Sequence, residues 1–176
     1  LFIYAGRFLF SGMPAYTELL EVMHAHTRAR ADAGKSGLRS GREKLRAFMC
    51  YIDHYTLNLR FWDWLDERGI AHMGSILSRT FRDFHGYAGA LPEATYTLDL
   101  ADRDTMIDSL AQMNARSPMV RSIRGPYDQP NMWLDETLAL ARVFRADCLI
   151  YNGTPGCRNT WGMLKPFARD VEKNGF

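Results

Sequence analysis

The sequence predicts an α/β protein, with a doubly wound, mostly parallel sheet and flanking helices. Three observations lead there. Apolar runs of strand length alternate with segments of helical period. Residues 45–76 read as strand, helix and strand in the spacing of a βαβ unit. A later helix then delivers the chain directly into a short apolar run at residues 148–151. With 176 residues, 47% hydrophobic and 24% charged, the chain can bury one core.

The first element is an amphipathic helix over about residues 15–31, with Leu19, Leu20, Val22 and Met23 on its apolar face. A polar linker follows at residues 34–41, so residues 1–42 are expected to form an N-terminal helix and linker, and residues 43–176 the α/β domain. Residues 45–51 read as the first strand. Leu57, Phe61, Trp64 and Leu65 mark one face of a helix that stops near Gly69, a suitable C′ residue, and residues 70–76 give the second strand. Residues 81–94 carry aromatic residues and glycines without a period, and read as loop with a short helix.

Asp102 or Asp104 can cap a helix whose inner face is Met106, Ile107, Leu110 and Met113. Asp128, with Pro130 in the first turn, opens the next, with Trp133, Leu140 and Phe144 along one side and Asp135 and Arg142 facing away. The final helix runs to Asn174. Pro166 belongs in its first turn, or lies inside a longer helix starting near Cys157. This order points to a Rossmann- or flavodoxin-like sheet.

Composition excludes several classes. A net charge of +2 lacks the basic excess of a nucleic-acid binder, and no apolar run approaches bilayer length. Arg7 interrupts the apolar start, which argues against a secretory leader. The missing initiator methionine and the helix-like ending suggest a piece of a longer chain. Three widely spaced cysteines make no disulfide framework and fit a reducing cytoplasm. Gly34-Lys35-Ser36 is no phosphate loop, because Ala29 stands where its first glycine belongs and no strand precedes it. His24 and His26 face different directions on a helix, and the common zinc, dinucleotide and nucleophile-elbow spacings are absent.

In an open α/β sheet, ligands collect beyond the carboxyl ends of the parallel strands. Those positions are Tyr51, Asp53 and His54 after the first strand, and Asn152, Gly153, Thr154, Cys157 and Arg158 after the last. If the two strands are neighbours, both loops open on one edge, and Asp53 and His54 could act as a general acid/base pair. The competing reading makes Asp53 a helix cap and His54 a surface residue. A thiol at a turn before a helix meets amide N–H groups that favour thiolate, the metal-binding form. Cys50 and Cys148 lie in apolar runs and read as inert core residues.

The helix of residues 134–144, the strand Ala146-Asp147-Cys148-Leu149-Ile150, the turn Gly156-Cys157-Arg158 and the run Trp161-Gly162-Met163-Leu164-Lys165 resemble the subunits of the 2-hydroxyacyl-CoA dehydratase and benzoyl-CoA reductase family. Lys44-Leu45-Arg46 resembles its central segment, so the likeness runs from about residue 43 to the end. It implies an oxygen-sensitive enzyme subunit with a [4Fe–4S] cluster held by three cysteines, the last matching Cys157 and the others outside this chain. It further implies an acyl-CoA substrate, a second homologous subunit and an ATP-dependent activator protein. The reaction would be dehydration of a 2-hydroxyacyl-CoA through a ketyl radical, or reduction of benzoyl-CoA. Asn152, Gly153, Thr154 and Arg158 would then shape the pocket, and Tyr51, Asp53 and His54 would face substrate. By itself the chain would be inactive.

Two other readings stay open. One is a non-catalytic flavodoxin-like partner subunit. The other is a CoA- or flavin-binding module with its phosphate at a helix N-terminus near Thr154. The basic residues between Arg28 and Arg46, Lys35, Arg39, Arg42 and Lys44 among them, are either a solvated stretch or a contact for a CoA phosphate.

Overall fold

The structure, a computed structural model, describes residues 10, 12–50, 58–76, 96–117, 120–121, 131–153 and 156–176. The segments read above as residues 81–94 and as the helix start at Asp128 lie outside these. In chain order the elements are α1 (Pro14–Asp32), β1 (Leu45–Met49), α2 (Leu59–Glu67), β2 (Ile70–Ser75), α3 (Arg103–Ala115), α4 (Met132–Val143), β3 (Cys148–Ile150) and α5 (Arg158–Lys173). The three strands form one parallel sheet in the order β2-β1-β3, an α/β fold of flavodoxin-like type. No helix among the described residues is long and apolar enough to cross a membrane.

The chain divides into two compact units, Leu1–Leu45 with Tyr55–Ala71, and Arg46–His54 with His72–Phe176. In the first, the linker after α1 is tied to α2. The Arg39 N–H donates to Asp66 Oδ1 (2.9 Å), its Nε–H to Asp66 Oδ2 (2.8 Å), and its outer guanidinium nitrogen pairs with Asp63. These carboxylates, Asp66 first, hold the Arg39 guanidinium above its ordinary value. Arg28 pairs with Asp32, and Arg30 donates to the Ser36 carbonyl (3.0 Å). Three of the clustered basic side chains are thus engaged within the unit.

Asn58 caps α2 by accepting the Phe61 N–H (3.4 Å), and Gly69 closes it at a φ of 72°. That position requires glycine twice over. The backbone is left-handed, and a Cβ would sit 2.8 Å from the Arg42 carbonyl oxygen. The Gly69 carbonyl in turn accepts the N–H groups of Lys44 (2.8 Å) and Leu45 (3.2 Å). Helix α1 differs from expectation, for it contains no buried residue, and Val22 of its apolar face is 66% exposed.

The second unit holds most of the sheet. β1 is its central strand, with Ala47, Phe48 and Met49 buried, which accounts for an apolar run without alternation. Ala47, Phe48 and Met49 pair with Cys148, Leu149 and Ile150. At the opening of these strands the Arg46 N–H donates to Asp147 Oδ2 (2.8 Å), the Asp147 N–H to the Arg46 carbonyl (2.8 Å), and the Arg46 guanidinium to the Phe144 carbonyl (2.8 Å). Helices α4 and α5 pack on each other, and the core gathers Cys50, Ile76, Met132, Trp133, Leu138, Phe167 and Val171. A second cluster joins Phe48, Leu140 and Ala141, with Phe144 and Leu149 against it.

Helix α3 is capped by Asp102, which accepts the Thr105 N–H (2.9 Å), and that bond lowers the Asp102 carboxyl. Its expected inner face is a correction, since Met106, Ile107 and Leu110 are all exposed. Helical period assigns residues to a common face, but burial also requires a neighbour to cover that face.

Helix α4 ends in a Schellman turn. The Ala146 N–H bonds the Ala141 carbonyl (2.8 Å) and the Arg145 N–H bonds that of Arg142 (3.0 Å). The left-handed position of this turn is held by Arg145, at a φ of 52°. A side chain there costs about 1 kcal/mol, so Arg145→Gly should stabilise the protein by up to about 1 kcal/mol, read as a higher urea midpoint at unchanged slope.

Candidate functional site

The chain passes from β1 to β2 on one side of the sheet and later returns to β3 on the other side of β1. The strand order therefore reverses between β1 and β3, and the crevice beyond their carboxyl ends is where such sheets bind ligands. The two strands proposed from sequence to flank the site are indeed neighbours, in parallel register.

β3 leads into Tyr151, Asn152 and Gly153, and α5 begins at Arg158 with Cys157 as its N-cap residue. Asn152 and Gly153 are buried, Cys157 is half-buried and Arg158 is exposed. The Cys157 backbone is extended (φ −97°, ψ 107°), and its carbonyl accepts the Trp161 N–H (3.3 Å). Its thiol makes no capping bond. Cys157 thus stands at the positive end of α5, where a helix favours negative charge. Tyr51, Asp53, His54 and Thr154, the other candidates, lie outside the described residues.

Two links tie this turn to the sheet. The Tyr151 hydroxyl donates to the Thr160 carbonyl (2.9 Å), with its ring against Phe167 at 5.3 Å between centroids. Gly153 meets the same turn of α5 face on, and a Cβ there would lie 2.6 Å from Thr160 Cγ2. Both links join the exit of β3 to the first turn of α5, next to Cys157.

The other two thiols lie elsewhere, Cys50 fully buried just past β1 and Cys148 within β3. Burial drives the Cys50 thiol far above its ordinary value, with Cys148 as a lesser cause. Cys148 is also raised, by burial and then by Asp147. All three cysteines are free, and among the described residues no three His, Cys, Asp or Glu side chains converge on a metal position.

Sequence reasoning missed a buried ion pair. Glu136 of α4 is 3% exposed and pairs with Arg121. Burial raises its carboxyl to about 7, against the lowering effect of Arg121. It stands one turn after Trp133 and one turn before Leu140, on the inner stripe of α4, and an acid on an apolar stripe was the available signal. Trp133 itself donates its indole N–H to the Cys50 carbonyl (2.7 Å).

An open parallel α/β sheet in this strand order, with a cysteine at the head of the helix that follows β3, is a flavodoxin-like arrangement. A family model described as 2-hydroxyglutaryl-CoA dehydratase, D-component, matches residues 1–176. The chain belongs to that family. The match takes in the N-terminal helix and linker, which the resemblance read from sequence left aside. Comparison with curated proteins and with solved structures gave no significant match.

Two outcomes test this geometry. Gly153→Ala should destabilise by about 1–3 kcal/mol through overpacking, and Thr160→Ser, which removes the opposing Cγ2, should recover part of the loss in the double variant. For Glu136 the folded state favours the protonated form. Its contribution is therefore full below about pH 4.5 and is lost as pH rises toward about 7. In urea titrations, the wild type should lose stability relative to Glu136→Gln, which stays neutral, as pH rises over that interval.

Proposed function

We propose that this chain forms part of a dehydratase subunit that converts (R)-2-hydroxyacyl-CoA to enoyl-CoA and water, with Cys157 as one ligand of a [4Fe–4S] cluster. The observation that carries this is the seat of Cys157, at the head of α5 and just past β3, on the edge that β3 shares with β1. Family membership supports the dehydratase class and a multi-subunit assembly.

Cys157 suits the cluster as a half-buried residue at the N-cap position of α5. Cys50 is fully buried and Cys148 lies within β3, and the remaining ligands would come from outside this chain. When bound, the cluster would supply the single electron that turns the thioester carbonyl into a ketyl, from which the 2-hydroxyl group can leave. The chain's own residues would do the rest. Asn152 and Gly153 form the buried lip beside the reacting carbonyl, and Arg158 offers a cation to the anionic substrate at the same edge. Asp53 and His54 handle the proton that must leave C3 and the one that accompanies the hydroxyl as water. Electrons then balance without net oxidation, and the starting electron comes from an ATP-dependent activator protein. The cytoplasm is the compartment that fits free thiols and such a cluster.

The test is anaerobic preparation of the complete subunit with its partner, followed by iron and sulfide analysis. Cys157→Ala should lose the cluster and with it activator-dependent dehydration. Undiminished iron and sulfide in that variant would overturn the ligand assignment. Turnover of benzoyl-CoA in place of 2-hydroxyacyl-CoA by the wild type would overturn the dehydration.

A further inference from the structure

Cys50 is the first residue beyond the central strand and is fully buried, so both its backbone groups need partners inside the protein. Its N–H donates to the Ile150 carbonyl (2.9 Å), which ties it to the last residue of β3. Its carbonyl accepts the indole N–H of Trp133 (2.7 Å), which ties it to the first turn of α4. One residue thus joins the exit of β1, the exit of β3 and the helix above them. Trp133 is 8% exposed and packs among Cys50, Ile76, Met132 and Leu138. One turn further on, the Arg121–Glu136 pair holds the same inner face of α4.

We infer that Trp133 is a positioning residue for the site at the switch point. By holding the Cys50 carbonyl, it sets the separation of the β1 and β3 exits and, through β3, the seat of Cys157. The inference rests on the reading that this edge is the reactive one. An aliphatic residue or phenylalanine would satisfy the apolar surroundings equally well, and only the indole adds a donor aimed at the buried carbonyl. Without that donor the carbonyl must seek another partner, which moves the end of the central strand.

Trp133→Phe keeps an aromatic ring and removes the donor. Replacement of Trp133 by 3-benzothienylalanine keeps the shape of the indole and exchanges its N–H for sulfur, so it carries the test if Trp133→Phe does not fold. Leu138→Ala serves as a control that loosens the same cluster without touching the Cys50 carbonyl.

In the complete, cluster-free subunit, the rate of Cys157 alkylation by iodoacetamide should change by about threefold or more in the donor-deleted variants and stay at the wild-type value in the control. In the cluster-loaded complex at equal iron content, kcat for 2-hydroxyacyl-CoA dehydration should fall about tenfold with KM little changed, the pattern of misplaced reacting groups. Wild-type alkylation and wild-type kcat in both donor-deleted variants would overturn the inference, as would equal changes in Leu138→Ala. If the wild-type complex does not dehydrate 2-hydroxyacyl-CoA, the functional reading falls, and the alkylation rates alone decide the role of Trp133.

Discussion

The parallel pairing of β1 with β3 is the contact on which the rest of this structure depends. It places the central strand between two neighbours, so both its edges are paired, while Phe48 packs under Leu140 and Ala141 of α4. It also creates the reversal of strand order that makes a crevice. Because a buried sheet must satisfy every backbone group, each end of the pairing is closed by a specific device. Asp147 and the Arg46 backbone exchange hydrogen bonds where the strands begin, and the Trp133 indole takes the Cys50 carbonyl where they part. The first is a polar clasp of charged residues near the surface, and the second is buried among apolar side chains.

The elements of this fold were legible in sequence, because strand and helix periods are local properties. The two β1-flanking runs, the Gly69 stop and the Asp102 cap all arise from chemistry within a few residues, and the structure places them where the spacing does. What covers a helix is not local. Leu19 and Val22 of α1 and Ile107 of α3 share faces as the period requires, yet these faces stay exposed. The same limit hid Glu136, whose burial depends on Arg121 15 residues earlier in the chain. It also hid Gly153, whose lack of a side chain answers to Thr160 on the next helix.

At the candidate site, sequence identified the thiol and its turn, but three cysteines were present and only their surroundings rank them. Burial raises the Cys50 thiol far above its ordinary value, and burial, then Asp147, raises that of Cys148. Cys157 alone stands at a helix head. Sequence set Cys157 apart by its turn before a helix and by the family resemblance, and the structure adds that Cys50 is fully buried and that Cys148 lies within β3. The remaining candidates after β1, Asp53 and His54, come three and four residues after Cys50, whose carbonyl Trp133 holds.

Whether Cys157 sits at a helix head at all turned on Pro166. A helix beginning at the proline would have left the cysteine in a long connection, with no first-turn amides near its sulfur. The structure carries α5 from Arg158 through Pro166 to Lys173. An interior proline removes one hydrogen bond and presses its ring on the carbonyl four residues earlier, at a cost of about 3 kcal/mol. That earlier residue is Gly162, where even an added Cβ would meet nothing within 4 Å, so the backbone has room to adjust. On either side of the proline the helix is anchored. Thr160 is buried and receives the Tyr151 hydroxyl before it, and Phe167 and Val171 enter the core after it. The helix continues through its own breaker because both halves are held to the sheet. The thiol stays at its head because the half before the proline is the one tied to β3.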